Sequence, residues 1–334
     1  MADTSSFVEL LKSPDPEHRR AGCAEIGSSG RAEYIPELVS ALKDEDLGVK
    51  EAAINALAAI GGSKVAEAVI PLLKSEDAAL RNVGIEILGA LGNSGLGTIL
   101  TLLNDPDDDI VKFAVDIIAG IEGAAHATDA LLPLLSHRNP NVRASVALCL
   151  GHIKATGAAR LIAKALYDSE EWVRFSAIEG LGLLEDRASL SALLSFVEQD
   201  CGPAKDAALE AASRIAAPSD SAEILDKVES LVKAGRIIPA GAVVELLEKA
   251  MLPGSRFRPS QGLKDTLFVF FSRCLDDEEL SLRLSGVKGL KLLRVQEGIV
   301  RILAYADTLK EIDEDTEAIL VDAVAAIAGH GKLP

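Results

Sequence analysis

Basic residues are scarce in this chain: 34 Lys and Arg stand against 51 Asp and Glu in 334 residues, a formal charge of −17. Proteins that bind polyanions draw most of their affinity from clustered Lys and Arg, so nucleic acid is not an expected partner. Aromatic residues reach only 4%, with a single tryptophan, Trp172. No apolar run approaches the roughly 20 residues needed to span a bilayer, so membrane insertion is not expected either. The Met-Ala-Asp-Thr start has no charged-then-apolar leader, which leads us to expect a cytoplasmic protein. The four cysteines, Cys23, Cys149, Cys201 and Cys274, are scattered without metal or redox spacing and read as small thiols of a reducing compartment. No Gly/Ser-rich or Pro-rich linker divides the chain.

Catalytic signatures are missing as well. The sequence contains no His-Glu-x-x-His, no phosphate-binding glycine loop and no Gly-x-Ser-x-Gly elbow. The histidines, His18, His126, His137, His152 and His330, are dispersed and none precedes a Glu. Asp107, Asp108 and Asp109 are consecutive and lack the alternating ligands of a calcium loop. No catalytic residue, metal or cofactor is therefore expected.

What the chain has is a period. His18, Val49, Leu80, Val111, Val142, Val173 and Ala204 are spaced 31 residues apart, and each is followed by a basic residue: Arg19, Lys50, Arg81, Lys112, Arg143, Arg174 and Lys205. In a chain about one-tenth Lys and Arg, seven such hits in succession are a roughly one-in-ten-million coincidence. Eleven residues before each anchor stand Phe7, Leu38, Val69, Leu100, Leu131, Ile162 and Leu193; eight after it stand Ile26, Leu57, Leu88, Ala119, Leu150, Leu181 and Ala212. The first column lies on a leading helix. The second lies on a trailing helix whose apolar or small positions at offsets 0, 3, 4, 7, 8 and 11 form one stripe. Such a hairpin cannot bury both apolar faces alone, so neighbours stack.

Turn chemistry marks the helix ends. Asp15-Pro16, Asp44 to Asp46, Asp105 to Asp108 and Asn139-Pro140 precede trailing helices, where Asp or Asn caps free amides and Pro suits the first helical position. Gly30, Gly61, Gly92 and Gly123 sit twelve residues past their anchors, the expected place of a left-handed stop. Offset 9 reads Gly27, Ala58, Gly89, Gly120, Gly151, Gly182 and Ser213. Glycine inside a helix costs about 1 kcal/mol relative to alanine, so that column implies close backbone approach between stacked units.

The segments LLKSPDPEHRRAGCAEIG, ALKDEDLGVKEAAINALAAIG and LLSHRNPNVRASVALCLGHI resemble HEAT-like repeats, particularly the short type named after phycobilisome lyases. The resemblance covers about residues 5 to 216 and resumes at CLDDEELSLRLSGVKGLKLL, with Leu282 as anchor. It implies an all-α, right-handed α-solenoid of about 10 repeats: seven regular ones over 1–216, an irregular repeat with an inserted loop over 217–260, and two more over 261–334 including a C-terminal cap. In HEAT arrays Asp and basic residues form a ladder between neighbouring repeats, a role the resemblance implies for Asp44 with Lys50, Asp168 with Arg174 and Asp277 with Arg283. The other Asp positions of the seven regular repeats read Ser, His, Gln or Pro, so the ladder is expected to be partial. HEAT-like iron hydroxylases carry repeated His-Glu pairs, which are absent here. HEAT-like DNA glycosylases use a cationic, aromatic groove, which this acidic chain does not offer.

Offsets 2 and 6 of the trailing helices point away from the core stripe, toward the expected concave surface. Polar residues occupy both ends of these columns, whereas Phe113, Ile117, Leu148 and Phe175 fill the middle, an apolar patch of the kind that binds partners. Between Pro218 and Cys274 the register breaks: the stretch from Gly235 to Gly262 replaces the usual trailing helix and turn, and carries Arg256, Phe257 and Arg258 in a Pro- and Gly-bracketed loop. Two arginines around an aromatic could grip an acidic or phosphorylated segment. The expected function is a non-enzymatic scaffold or adaptor that binds a basic or amphipathic protein or peptide on the concave face. The alternative is a bilin-lyase-like enzyme or enzyme subunit holding a small molecule in that groove.

Overall fold

The computed structural model describes residues 4–199, 202–309 and 313–329, and every regular element among them is helical. The chain forms two compact units, one up to Leu184 and one from Glu185 on. The 31-residue register runs through that division without a mark.

In the first unit the helices alternate between short leading and longer trailing members. The leading ones are α1 (Thr4–Leu11), α3 (Ile35–Ala41), α5 (Gly62–Val69), α7 (Asn93–Thr101), α9 (Thr128–Leu131) and α11 (Ala159–Ile162). The trailing ones are α2 (Pro16–Ser29), α4 (Leu47–Ile60), α6 (Ala78–Ala90), α8 (Asp108–Ala119), α10 (Pro140–His152) and α12 (Glu171–Leu184). Pro36, Pro71 and Pro133 lie in the leading elements, and from α5 onward the leading helix tightens into 3-10 turns before the trailing helix starts. The second unit holds α13 (Arg187–Gln199), α14 (Pro203–Ile215), α15 (Pro218–Lys233), α16 (Ala240–Ala250), α17 (Gln261–Cys274), α18 (Leu280–Leu293), α19 (Glu297–Ala306) and α20 (Glu314–Ile327).

The core follows the predicted columns. Phe7, Leu38, Val69, Leu131, Ile162 and Leu193 are buried on leading elements, as are Ile26, Leu57, Leu88, Leu150, Leu181 and Ala212 on trailing ones. The exceptions fall together in the fourth repeat, where Leu100 and Ala119 are half-buried. There the inward face of α8 keeps the stripe positions Val111, Ala114, Val115 and Ile118 and shifts to take in Ile110 and Ile117 as well. Asp15, Asp46, Asp77, Asp107 and Asn139 cap their helices, each accepting from a backbone N–H of the first turn.

The stop position twelve residues past the anchor has positive φ throughout the first four repeats, at Gly30, Gly61, Gly92 and Gly123. The same column carries Lys154, Glu185 and Arg294, with φ of 51°, 55° and 52°. These are the non-glycine residues with positive φ among the described residues, so the backbone keeps this turn even where the sequence does not supply glycine.

Close helix approach occurs at only some of the offset-9 glycines. A Cβ on Gly27 would lie 2.8 Å from the Cα of Ala56, and one on Gly151 would lie 2.6 Å from the carbonyl oxygen of Gly180. These contacts seat α2 against α4 and α10 against α12. At Gly89 nothing lies within 4 Å, and at Gly120 only the carbonyl of Ile117 in its own helix does, at 3.6 Å. The expectation of one uniform packing column is therefore corrected: trailing helices meet backbone to backbone at two seams, and beside Gly89 and Gly120 no neighbouring helix comes within 4 Å of the added Cβ.

The irregular repeat also departs from expectation. Its trailing helix is present as α16, which buries Val243, Leu246, Leu247 and Ala250. The extra residues lie outside it, between α15 and α16 and in the loop from Met251 to Ser260.

Candidate partner-binding face

The basic column explains itself first. Arg19 donates to the carbonyl of Ser13, Arg81 to that of Ser75, Arg143 to that of His137, Arg174 to that of Asp168 and Arg283 to that of Asp277. Each guanidinium thus ties its helix to the turn six residues upstream. Where the following repeat carries Asp, the same side chain reaches across. Nε and Nη2 of Arg19 each lie 2.8 Å from a carboxylate oxygen of Asp44. Arg143 meets Asp168 in the same two-pronged way, also at 2.8 Å. These forks favour the ionised acid: the Arg19 guanidinium holds the Asp44 carboxyl below its usual range, and Arg143 does the same to Asp168.

The ladder therefore runs from the Arg of one repeat to the Asp of the next, 25 residues on. The implied pairs are corrected accordingly. Asp44 and Asp168 are rungs, but for the preceding repeat's arginine. Lys50 contributes only a longer-range field at Asp44. Arg174 and Arg283 grip backbone carbonyls of their own turns, and the Asp277 carboxylate caps the Glu279 N–H.

Offsets 2 and 6 are exposed in the first three repeats, while Ile117 and Ala144 in the fourth and fifth are buried. Between α2 and α4 the surface is a groove of about 570 Å³ walled by Arg20, Ala24, Glu51 and Asn55, which are the residues of these two columns. Further along, Phe175 on α12 is 38% exposed, and Phe113 on α8 and Leu148 on α10 are half-buried. Because α8 packs on α10 and α10 on α12, the three stand on consecutive trailing helices. Ile117 does not join them. It is 3% exposed, because the inward face of α8 is rotated to include it.

Trp172, 48% exposed and one turn before Phe175 on α12, belongs to the surface but escaped the column argument because it lies just before the anchor Val173. The available signal was the spacing of three between two bulky aromatics on one helix of an aromatic-poor chain. Acidic side chains surround the patch: Glu171 and Glu179 on α12 are exposed, and Asp116 on α8 is held by Lys112 at 2.6 Å.

The loop triplet has a local role. Arg258 donates to the carbonyls of Ser255 and Phe257, and Phe257 is half-buried with its N–H given to Ser255 Oγ. Arg256 is exposed. Asp107 caps α8 while Asp108 receives Arg138 and Asn139. Among the described residues no cluster of His, Cys, Asp or Glu has metal-binding geometry. Burial pushes the Cys23 thiol up to about 11 and the Cys149 thiol up to about 12, so neither supplies a thiolate at neutral pH. Cys201 and His330 lie outside the described residues. No described helix is long and apolar enough to cross a membrane.

Comparison with known proteins agrees with this architecture. The sequence pattern of HEAT repeats matches residues 4–89 and 128–213. No curated protein sequence matches the chain. Among solved structures, an engineered protein from the Northeast Structural Genomics Consortium aligns over 98% of this chain and 99% of its own, with 18% identity and a TM-score of 0.52. Importin beta, in an ammonium sulfate condition, aligns over 97% of this chain with 13% identity and a TM-score of 0.58, this chain spanning about half of it (51%). A Kap121p mutant aligns at a TM-score of 0.54 and 13% identity, over 97% of this chain and 45% of its own. At such identities the likeness is one of fold.

Proposed function

We propose that this chain, which belongs to the HEAT-repeat family, works as a non-enzymatic scaffold whose trailing-helix face docks a basic or amphipathic protein segment. The observation that carries this reading is the exposure of Phe175 and Trp172, with half-buried Phe113 and Leu148 alongside, in a stack whose other apolar columns are inside. Large apolar side chains left on one face and rimmed by polar groups are the usual mark of a recognition surface. An amphipathic helix would lay its apolar edge on these side chains, while Lys or Arg on its flanks met Glu171 and Glu179. The chain's formal charge of −17 would speed the approach of such a partner.

The test is affinity capture from the native host with the full chain and with Phe113→Asp and Phe175→Asp, each checked by circular dichroism for retained helix. The expected result is a specific partner lost with either substitution and weakened by salt. Capture that survives both substitutions would remove this face as the docking surface.

A further inference from the structure

In the second unit, α15 ends at Lys233 and the chain crosses to α16 through a short loop in which Gly235 takes φ of +73°. This loop is fastened from three sides. Gly235 N–H donates to the carbonyl of Val232 at 2.9 Å, Arg236 N–H donates to that of Leu231 at 3.0 Å, and the Lys205 ammonium donates to the carbonyl of Ile237. Lys205 is only 4% exposed, a costly place for an ammonium group, and its contact with the loop fixes where Ile237 stands. Yet the Ile237 side chain itself is 81% exposed, the most exposed of the large apolar residues described. A pinned backbone that holds an isoleucine out in water is prepared for a contact: ordering the loop costs nothing further when something covers it.

Ile237 forms one lip of a cleft of about 350 Å³ between this loop and α17. Buried Ile238 lies in the floor, half-buried Phe270 and 49%-exposed Val269 make the far wall, and Arg236 and Arg273 stand at the edges. Asp277 also lines the cleft, with its carboxylate engaged in capping Glu279. Among the described residues the Arg273 guanidinium meets no carboxylate, although the chain as a whole has acids in large excess. The volume lies at the low end of the roughly 300–1,000 Å³ of ligand cavities, and the cleft is open along one side, so it fits one or two side chains of an extended segment better than a large ligand.

We infer that this cleft is a second docking site, for a short acidic-apolar segment of a partner protein. A Leu, Ile or Phe of that segment enters between Ile237 and Val269, and a neighbouring Asp or Glu pairs with Arg273 in the two-pronged geometry that guanidinium groups favour. The site lies wholly within the second unit and takes the charge opposite to that of the partner proposed for the first, so each reading can fail without the other.

The experiment is selection of random twelve-residue displayed peptides on the full chain. The recovered sequences are then measured as fluorescein-labelled peptides by anisotropy. The expected outcome is a class with an apolar residue beside Asp or Glu whose affinity falls at least tenfold with Ile237→Asp and with Arg273→Glu, falls likewise when the peptide's acid is changed to its amide, and is unchanged by Phe175→Asp. Ile237 and Arg273 are exposed, so both variants should melt like the parent, which the same samples verify. Recovery of only basic or uncharged peptides, or acidic ones that ignore both substitutions, would overturn the inference.

Discussion

The same substitution, at the same repeat position, should have opposite signs in two hairpins of the first unit. Gly89 and Gly151 both lie nine residues past their anchors, inside trailing helices α6 and α10. Replacing a helical glycine by alanine gains up to about 1 kcal/mol by reducing the freedom of the unfolded chain and favouring helix. At Gly89 nothing opposes that gain, because no atom lies within 4 Å of the new methyl. At Gly151 the methyl would sit 2.6 Å from the carbonyl oxygen and 2.7 Å from the Cα of Gly180. Those are backbone atoms that cannot rotate aside, so α10 and α12 must part. Overpacking of this kind costs about 1–3 kcal/mol, which outweighs the helix gain and leaves Gly151→Ala destabilised by roughly 1–2 kcal/mol. For a unit of this size about 2–4 °C accompanies each kcal/mol, so melts followed by far-ultraviolet circular dichroism should place Gly89→Ala above the parent and Gly151→Ala several degrees below it. Movement of both variants in the same direction would refute the claim that only some seams between trailing helices are in backbone contact.

Three further outcomes follow from the geometry. Arg294→Gly relieves a left-handed residue that costs about 1–2 kcal/mol, against a smaller entropic loss for glycine, so it should raise the stability of the second unit by about 0.5–1 kcal/mol in urea titration. Lys154→Gly at the equivalent position should gain less, because the Lys154 ammonium donates to the carbonyl of Leu183. The third concerns acid. The folded state holds the carboxyl of Asp168 below its unfolded range through Arg143; the stabilisation is therefore complete above the unfolded carboxylate value near 4 and drains away as pH falls through the lower folded value. Asp168→Asn should accordingly lower stability at pH 7 by on the order of 1 kcal/mol and should lose less than the parent between pH 5 and about 2, as urea midpoints across that range would report.

The period of 31 made the fold legible because a hairpin stack repeats its constraints: the two apolar columns, the Asp and Asn caps and the positive-φ stop all recur at fixed offsets. What it could not reveal was variation within a column. Isoleucine at 117 occupies the outward offset, yet it is buried together with Ile110, beside the stripe positions Val111, Ala114, Val115 and Ile118, so the inward arc of α8 is shifted toward it. Leu148 is half-buried and Phe175 exposed, whereas Ile117 at the same kind of offset is inside, a difference the letters of the column do not carry. Gly89 and Gly151 look alike as letters, and only the separation of neighbouring helices distinguishes them. The Lys205 contact to Ile237 spans a break in register and was invisible to any argument from periodicity.

The basic column shows why a repeated charge need not mark a binding surface. A guanidinium that reaches a carbonyl six residues upstream closes the turn between leading and trailing helices, and every repeat has such a turn to close. Arginine meets that need at Arg19, Arg81, Arg143 and Arg174, whereas Lys112 and Lys205 spend their charge on Asp116 and on the Ile237 carbonyl. When the next repeat offers Asp at the matching position, as Asp44 and Asp168 do, the remaining donors stitch two hairpins together; when it offers Pro, as Pro106 stands opposite Arg81, the turn bond remains. A side chain committed in this way has few donors left for phosphate. The two proposed docking sites rest instead on what does not recur: Trp172 and Phe175 in the first unit, Ile237 and Arg273 in the second. In an array whose structural residues are set by the period, departures from the period are where an individual function can be written, and they are the positions at which substitution should change binding while leaving the melt untouched.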